Sequence, residues 1–268
     1  MCKIRYLLIY SNQIMLITYP DCFGKNLKDL HCIINHYFSG AVYGLHVLPF
    51  FPSTADRGFV PVTYREVDTR FGTWEDIMAL SEDYYLMYDY MINHISKYSS
   101  IYRDFIEKKD ASVYRNFFIR YNHFWENGEP TQEEADKIYV RRPNGPYATA
   151  EFADGSKEKL WCTFSDDQID INCKDDEAKK YLRDNLKFLM EHGAAVIRLD
   201  AFAYTTKKPG TNCFFVEPDV WPILEECREI LKENDTEMLP EIHENYFIQK
   251  KMEEKNISSM IFNCRCCY

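Results

Sequence analysis

Two short runs, Ala194-Ala195-Val196-Ile197-Arg198-Leu199-Asp200 and Glu237-Met238-Leu239-Pro240-Glu241-Ile242-His243-Glu244, decide the reading of this chain. Each is an apolar, β-leaning stretch that ends in a carboxylate. A strand buried in a parallel sheet reads as a continuous apolar run. In an α/β barrel the reacting groups sit at the C-terminal ends of such strands. Asp200 and Glu241 therefore come off two successive strand ends and face one pocket. Paired carboxylates across a pocket are the equipment of glycoside chemistry, one attacking the sugar carbon and the other protonating the leaving oxygen. Either acid alone is as readily a strand cap or a surface group. The two together, with Arg198 beside the first, favour a site.

Working outward, Ile14-Met15-Leu16-Ile17-Thr18-Tyr19 predicts a first strand closed by Pro20, and 42–50 a second. Leu27, Leu30, Ile34 and Phe38 have helical spacing, and Ser39-Gly40 ends that helix. After the second strand comes a Gly/Pro loop, Phe51-Pro52-Ser53-Thr54-Ala55-Asp56-Arg57-Gly58-Phe59. Thr73 is a reasonable N-cap for a helix with Trp74, Ile77 and Leu80 on its apolar stripe. The third strand runs over 85–92 and leads into Asn93-His94. Further helices are predicted over 176–191, from Glu217 or Pro218 to Lys232, and from Tyr246 to Lys255. Strands alternating with helices predict a parallel sheet.

The alternation breaks from about 95 to 170, which is polar and aromatic with turn signals at Asn127-Gly128, Pro143-Asn144-Gly145-Pro146 and Asp154-Gly155. A structureless loop of that length does not suit a compact domain, so the stretch reads as an inserted subdomain. The expected division is 14–94 and 171–255 for one barrel, 95–170 for the insertion, and 256–268 for an aberrant tail.

Composition narrows the function classes. At 268 residues the chain barely reaches the length of a complete α/β barrel. A net charge of −10 argues against a nucleic-acid or membrane-surface partner. Of the ten cysteines, Cys264, Cys266 and Cys267 crowd the C-terminus and the rest are scattered without zinc spacing. They read as buried thiols in a reducing cytosol. The short apolar run near Met1 is broken by Ser11-Asn12-Gln13 and has no cleavage site, so neither a signal peptide nor a membrane helix is expected. The expected location is the cytoplasm.

The runs Leu48-Pro49-Phe50-Phe51-Pro52-Ser53, Asp56-Arg57-Gly58-Phe59, Asp89 to His94, Ile197-Arg198-Leu199-Asp200-Ala201 and Leu239-Pro240-Glu241-Ile242-His243 together resemble the sucrose phosphorylase branch of the α-amylase superfamily, glycoside hydrolase family 13. The likeness runs from about Met15 to about Lys255. It implies an α/β fold, a (β/α)8 TIM barrel of the α-amylase type with a subdomain inserted after the third strand. It implies retaining glucosyl transfer: reversible phosphorolysis of sucrose to glucose 1-phosphate and fructose through a covalent glucosyl–aspartate. Asp200 matches the nucleophile and Glu241 the acid/base. Asp56 and His94 match groups that hydrogen-bond the glucosyl hydroxyls, and Phe59 the apolar wall of that subsite. Arg198 can hold Asp200 ionised, and His243, next to the acid site, either touches the acceptor or supports the acid from behind. No cofactor is implied, only inorganic phosphate as co-substrate beside a small-molecule sugar. Asn93 is a calcium ligand in some amylases, but no acidic cluster surrounds it here and no metal is expected.

Two departures set limits on these expectations. The family continues through three more strands, a further catalytic Asp and a C-terminal domain, so a barrel truncated to about five strands is expected, poorly stable and inactive alone. The tail from Asn256 to Tyr268 fits no family segment. Codons can be chosen for it so that the neighbouring frame spells the family's Tyr-Asp-Phe-x-Leu-Pro run, and it reads as a frameshifted end. Related phosphorylases of glucosylglycerate or sucrose 6-phosphate, an α-glucoside hydrolase and a non-catalytic remnant are the alternatives.

Overall fold

The computed structural model describes residues 14–242 and 246–258. His243 and most of the tail from 256 to 268, with its three cysteines, lie outside them. The chain runs β1 (Met15–Thr18), α1 (Leu27–Tyr37), β2 (Gly44–Val47), α2 (Trp74–Asp83) and β3 (Tyr85–Met91). It continues through β4 (His94–Ser96), α3 (Ser100–Lys108), α4 (Tyr121–Phe124), α5 (Gln132–Lys137), β5 (Tyr147–Glu151), β6 (Lys157–Trp161) and β7 (Gln168–Asp170). It ends with α6 (Asp176–Glu191), β8 (Val196–Asp200), α7 (Val220–Lys232), β9 (Glu237–Pro240) and α8 (Tyr246–Glu254).

One five-stranded sheet, ordered β1-β2-β3-β8-β9 and parallel throughout, carries the architecture. Every residue of β2 and β8 is buried, because helices cover one face and inward side chains fill the other. The helices follow their apolar stripes. Leu27, Leu30 and Ile34 of α1, Ile77 and Leu80 of α2, and Leu182, Leu186 and Leu189 of α6 are buried in one core. Their starts are satisfied locally. Asn26 accepts from the Asp29 amide at 3.0 Å, the Asp76 carboxylate accepts from the Thr73 amide at 2.9 Å, and Asp175 accepts from the amides of Glu177 and Ala178. The register sets Asp89 opposite Arg198 and Met91 opposite Asp200.

The segment between β3 and β8 is not structureless. It holds two antiparallel pairs, β4 with β7 and β5 with β6. It also contributes most of a second apolar cluster, Tyr121, Trp125, Ile138 and Trp161, to which Cys213 adds from beyond β8.

Some expectations shift. The second strand stops at Val47 rather than Phe50, although the Leu48 amide still bonds the Thr18 carbonyl at 2.9 Å; Pro49 has no N–H to continue the ladder. The helix before β9 starts at Val220, not at Glu217 or Pro218. Cys162, Cys173, Cys213 and Cys227 are buried thiols, but Cys22 and Cys32 are exposed. Cys32 lies on the outer face of α1, between the buried Leu30 and Ile34, and Cys22 lies in the turn after β1.

Candidate active site

The site grows from the ends of β3, β8 and β9. Arg198 and Asp200 are two residues apart on β8 and so share a face. The Arg198 guanidinium donates from Nη1 to Asp89 Oδ1 at 2.5 Å and to Asp200 Oδ1 at 3.0 Å. Its Nη2 pairs with Glu241 Oε1. The second Glu241 oxygen accepts from the Ala201 amide at 3.1 Å. Ala201 can aim that amide because it sits in the left-handed region, at φ 55°. Asp89 is fully buried, and its other oxygen lies 2.8 Å from His46 Nε2.

One buried cation thus faces three carboxylates. Burial pushes the Asp200 carboxyl well above the usual carboxylate range, and the Glu241 charge adds to this. The Arg198 charge opposes both. The same three carboxylates raise the guanidinium's hold on its proton, against burial.

A cavity of about 260 Å3 opens over this centre. Of the residues singled out in the sequence, Asp56, Phe59, His94, Arg198, Asp200 and Glu241 all line it. The Asp56–Phe59 loop is held by Gly58 at φ +109°, where a Cβ would lie 2.6 Å from the Pro49 carbonyl oxygen. Only glycine fits there. Arg57 ties the loop back, pairing with Asp21 at 3.1 Å and stacking over Tyr19. His94 Nε2 lies 3.0 Å from the Phe59 carbonyl and 3.2 Å from Gln168 Nε2. Its Nδ1 is buried without a protein partner, and burial lowers its pKa. A neutral imidazole that donates from Nε2 to the Phe59 carbonyl leaves Nδ1 as an acceptor.

Besides Ala203, four larger lining residues escaped the sequence reading: Arg141, Phe164, Gln168 and Tyr204. Phe164 packs edge-on against His94 and Tyr204, with centroids 5.4 and 5.1 Å away. Three of the four lie between β3 and β8, where no periodicity marks an inward face. Among the described residues no group of three or more His, Cys, Asp or Glu is placed to hold a metal ion. No helix among them is long and apolar enough to cross a membrane.

A family description of the α-amylase catalytic domain matches residues 18–264, and the chain belongs to that family. The five parallel strands are part of its (β/α)8 barrel, the fold expected from the two runs and the resemblance. Among curated relatives, a sucrose phosphorylase of Streptococcus mutans is 50% identical over 91% of this chain, which covers 50% of that protein. A glucosylglycerol phosphorylase of Marinobacter adhaerens is 40% identical over 93% of this chain and is covered to 52%. The crystal structure of a sucrose 6F-phosphate phosphorylase from Thermoanaerobacter thermosaccharolyticum superposes with a TM-score of 0.89 at 38% identity, over 92% of this chain and 51% of that one. The chain spans about half the length of the relatives it matches.

Proposed function

We propose that this chain carries the glucosyl-binding and bond-breaking centre of a retaining, phosphate-dependent glucosyl transferase of the sucrose phosphorylase type, with sucrose as donor. The observation that carries this reading is the junction of Asp200 and Glu241 on one guanidinium. Inverting pairs stand about 6.5–9.5 Å apart to leave room for a water between them. Asp200 and Glu241 hold adjacent nitrogens of Arg198 and also share a side-chain hydrogen bond with each other, a close pairing that favours direct attack by Asp200.

In the first step an Asp200 oxygen bonds to the anomeric carbon as the bond to the fructosyl oxygen breaks. Glu241 gives that oxygen its proton, so fructose leaves neutral. In the second step Glu241 takes the proton of an incoming phosphate, whose oxygen attacks the anomeric carbon and releases Asp200 as carboxylate. Splitting one displacement into two is the gain of a covalent intermediate. Arg198 draws Asp200 toward the ionised form that attack requires. Asp56 and the neutral His94 hold glucosyl hydroxyls, and Phe59 forms the apolar wall. Arg141, the second cation lining the cavity, suits the dianionic co-substrate. The acceptor contact assigned to His243 belongs to this reading as well.

The reading extends to organisation. Residues 14–94 and 171–255 act as one barrel body, and 95–170 as an inserted subdomain that lends Arg141, Phe164 and Gln168 to the pocket. The matched relatives are about twice as long, so turnover belongs to the longer assembly, working in the cytoplasm without a cofactor. The test joins this chain to the C-terminal half of the Streptococcus mutans relative and measures glucose 1-phosphate released from sucrose and phosphate. Release is expected, with loss of at least about 1,000-fold in Asp200→Asn. Undiminished release in that variant overturns the role of Asp200, and release of free glucose instead makes the protein a hydrolase.

A further inference from the structure

Behind the centre formed by Arg198 and its carboxylates stands a residue that no step of the proposed reaction touches. His46 belongs to β2, and its side chain is only 3% exposed. The register sets it opposite Met87, two residues before Asp89 on β3, so the ring meets the Asp89 carboxylate on the diagonal of the sheet. The imidazole Nε2 lies 2.8 Å from Asp89 Oδ2. Asp89 already accepts from Arg198 through Oδ1. A carboxylate held by a guanidinium can only accept again, so Nε2 carries the hydrogen. The other ring nitrogen, Nδ1, is buried and has no partner among the described residues. The bond to Asp89 is thus the polar anchor of the ring.

A second unpartnered atom shows what that bond does. An aspartate beside an arginine frequently grips it with both oxygens on two nitrogens. Here Asp89 gives Arg198 one oxygen, at Nη1, and Arg198 Nε is buried without a partner among the described residues. The guanidinium reaches past Asp89 instead, to Asp200 through Nη1 at 3.0 Å and to Glu241 through Nη2. We propose, building on the roles assigned above to Asp200 and Glu241, that His46 is a positioning residue: it withholds the second Asp89 oxygen from Arg198, so that both terminal nitrogens stay turned toward the reacting carboxylates. Without the imidazole, Asp89 turns Oδ2 onto the free Nε–H, and the two-point grip draws the guanidinium back toward β3. Asp200 then loses part of the charge that favours its ionised form, and Glu241 loses one of its anchors. The new grip replaces the lost hydrogen bond, so the damage falls on the chemistry more than on the fold.

The test compares His46→Phe, which keeps a ring but has no donor, with His46→Gln, which restores an N–H close to the place of Nε2. A ring that served packing alone would be replaced better by Phe than by Gln, so the two roles predict opposite orders. In the isotope-labelled full chain, the NMR signal of the Arg198 Nε–H reads the grip directly and needs no turnover. It should move downfield in His46→Phe and stay in place in His46→Gln. In the fusion to the C-terminal half of the Streptococcus mutans relative, His46→Phe should lower kcat for glucose 1-phosphate release at least about 10-fold while KM for sucrose changes less than about twofold. His46→Gln should keep kcat within about threefold of the parent. If the fusion releases no glucose 1-phosphate at all, the proposed reaction fails, and the Arg198 signal alone decides the place of His46. If His46→Phe does not fold, the parent chain decides: its His46 Nε2–H should give a downfield, slowly exchanging signal, and its Arg198 Nε–H the signal of an unbonded group. A His46 ring carrying its hydrogen on Nδ1 alone, an Arg198 signal unmoved in His46→Phe, or equal losses of kcat in the two variants overturns the proposal.

Discussion

Two buried cations lie at the same end of the sheet, and they differ in how their charge is balanced. Lys207 meets one carboxylate, Asp170, and two neutral oxygens. Its positive charge is matched by one negative charge and all three of its protons are used. Arg198 meets three carboxylates, Asp89, Asp200 and Glu241. There the negative charge is in excess, and burial pushes Asp200 toward its protonated form. A balanced pair fixes geometry. An unbalanced cluster stays ready to take up or release a proton, which suits the covalent and acid–base work proposed for Asp200 and Glu241. The difference also predicts opposite responses to neutralising substitutions.

The largest effect should come from Arg198→Ala. Removing the cation leaves three buried carboxylates facing one another, and breaking a buried pair costs about 3–5 kcal/mol. With a third acid present the upper end is expected, close to the whole stability of a small domain. Urea unfolding, or the fraction of chain that stays soluble, checks this. A loss under about 1 kcal/mol would mean that the cluster holds water or protons that the contacts do not reveal.

Next comes Asp170→Asn. It leaves the Lys207 charge among neutral oxygens only, and a loss of about 3 kcal/mol is expected. The same isosteric change at Asp200 should have the opposite sign. Asp200→Asn removes the excess charge while keeping an acceptor for Arg198, and should stabilise the chain by roughly 1 kcal/mol at neutral pH. Measuring both amide variants under one set of conditions decides the comparison. Two losses of similar size would erase the distinction between the centres.

The smallest effect is a pH slope. Asp200 has a raised folded pKa, so between the ordinary carboxyl range and that raised value the folded chain binds more protons than the unfolded one. Its contribution to stability is therefore present in acid and lost as pH rises. The stability advantage of Asp200→Asn over the parent should shrink toward pH 4 and grow toward pH 8. Urea midpoints at four pH values give the slope, and a constant difference would assign Asp200 an ordinary pKa.

The sequence disclosed these two centres unequally. Asp200 and Glu241 stood out because each closes an apolar run, and strand ends are where a parallel sheet must surface. Arg198 followed from the period of two along β8. Asp56, Phe59 and His94 came only through resemblance, since a loop acid and a strand-end histidine have no periodic signature. Lys207 was hidden because two adjacent lysines before Pro-Gly look like a solvated turn. Gln168 and Phe164 were hidden because short antiparallel pieces such as β7 give too few alternations to mark an inner face. Burial of cysteines was overextended to Cys22 and Cys32, whose small side chains suit an exposed helix face or a turn as well as a core.

The hydrogen bond between Arg198 and Asp89 joins positions 109 residues apart. Contacts of such separation carry a large loop-closure cost, and that cost falls when the intervening chain has already folded. The segment between β3 and β8 has its own antiparallel pairs and most of an apolar cluster, so it can shorten that loop before the strands meet. During synthesis the first three strands leave the ribosome well before β8 exists. The charged centre is therefore assembled late, and a nascent chain stays without a charge-rich core until its sheet is ready to enclose one.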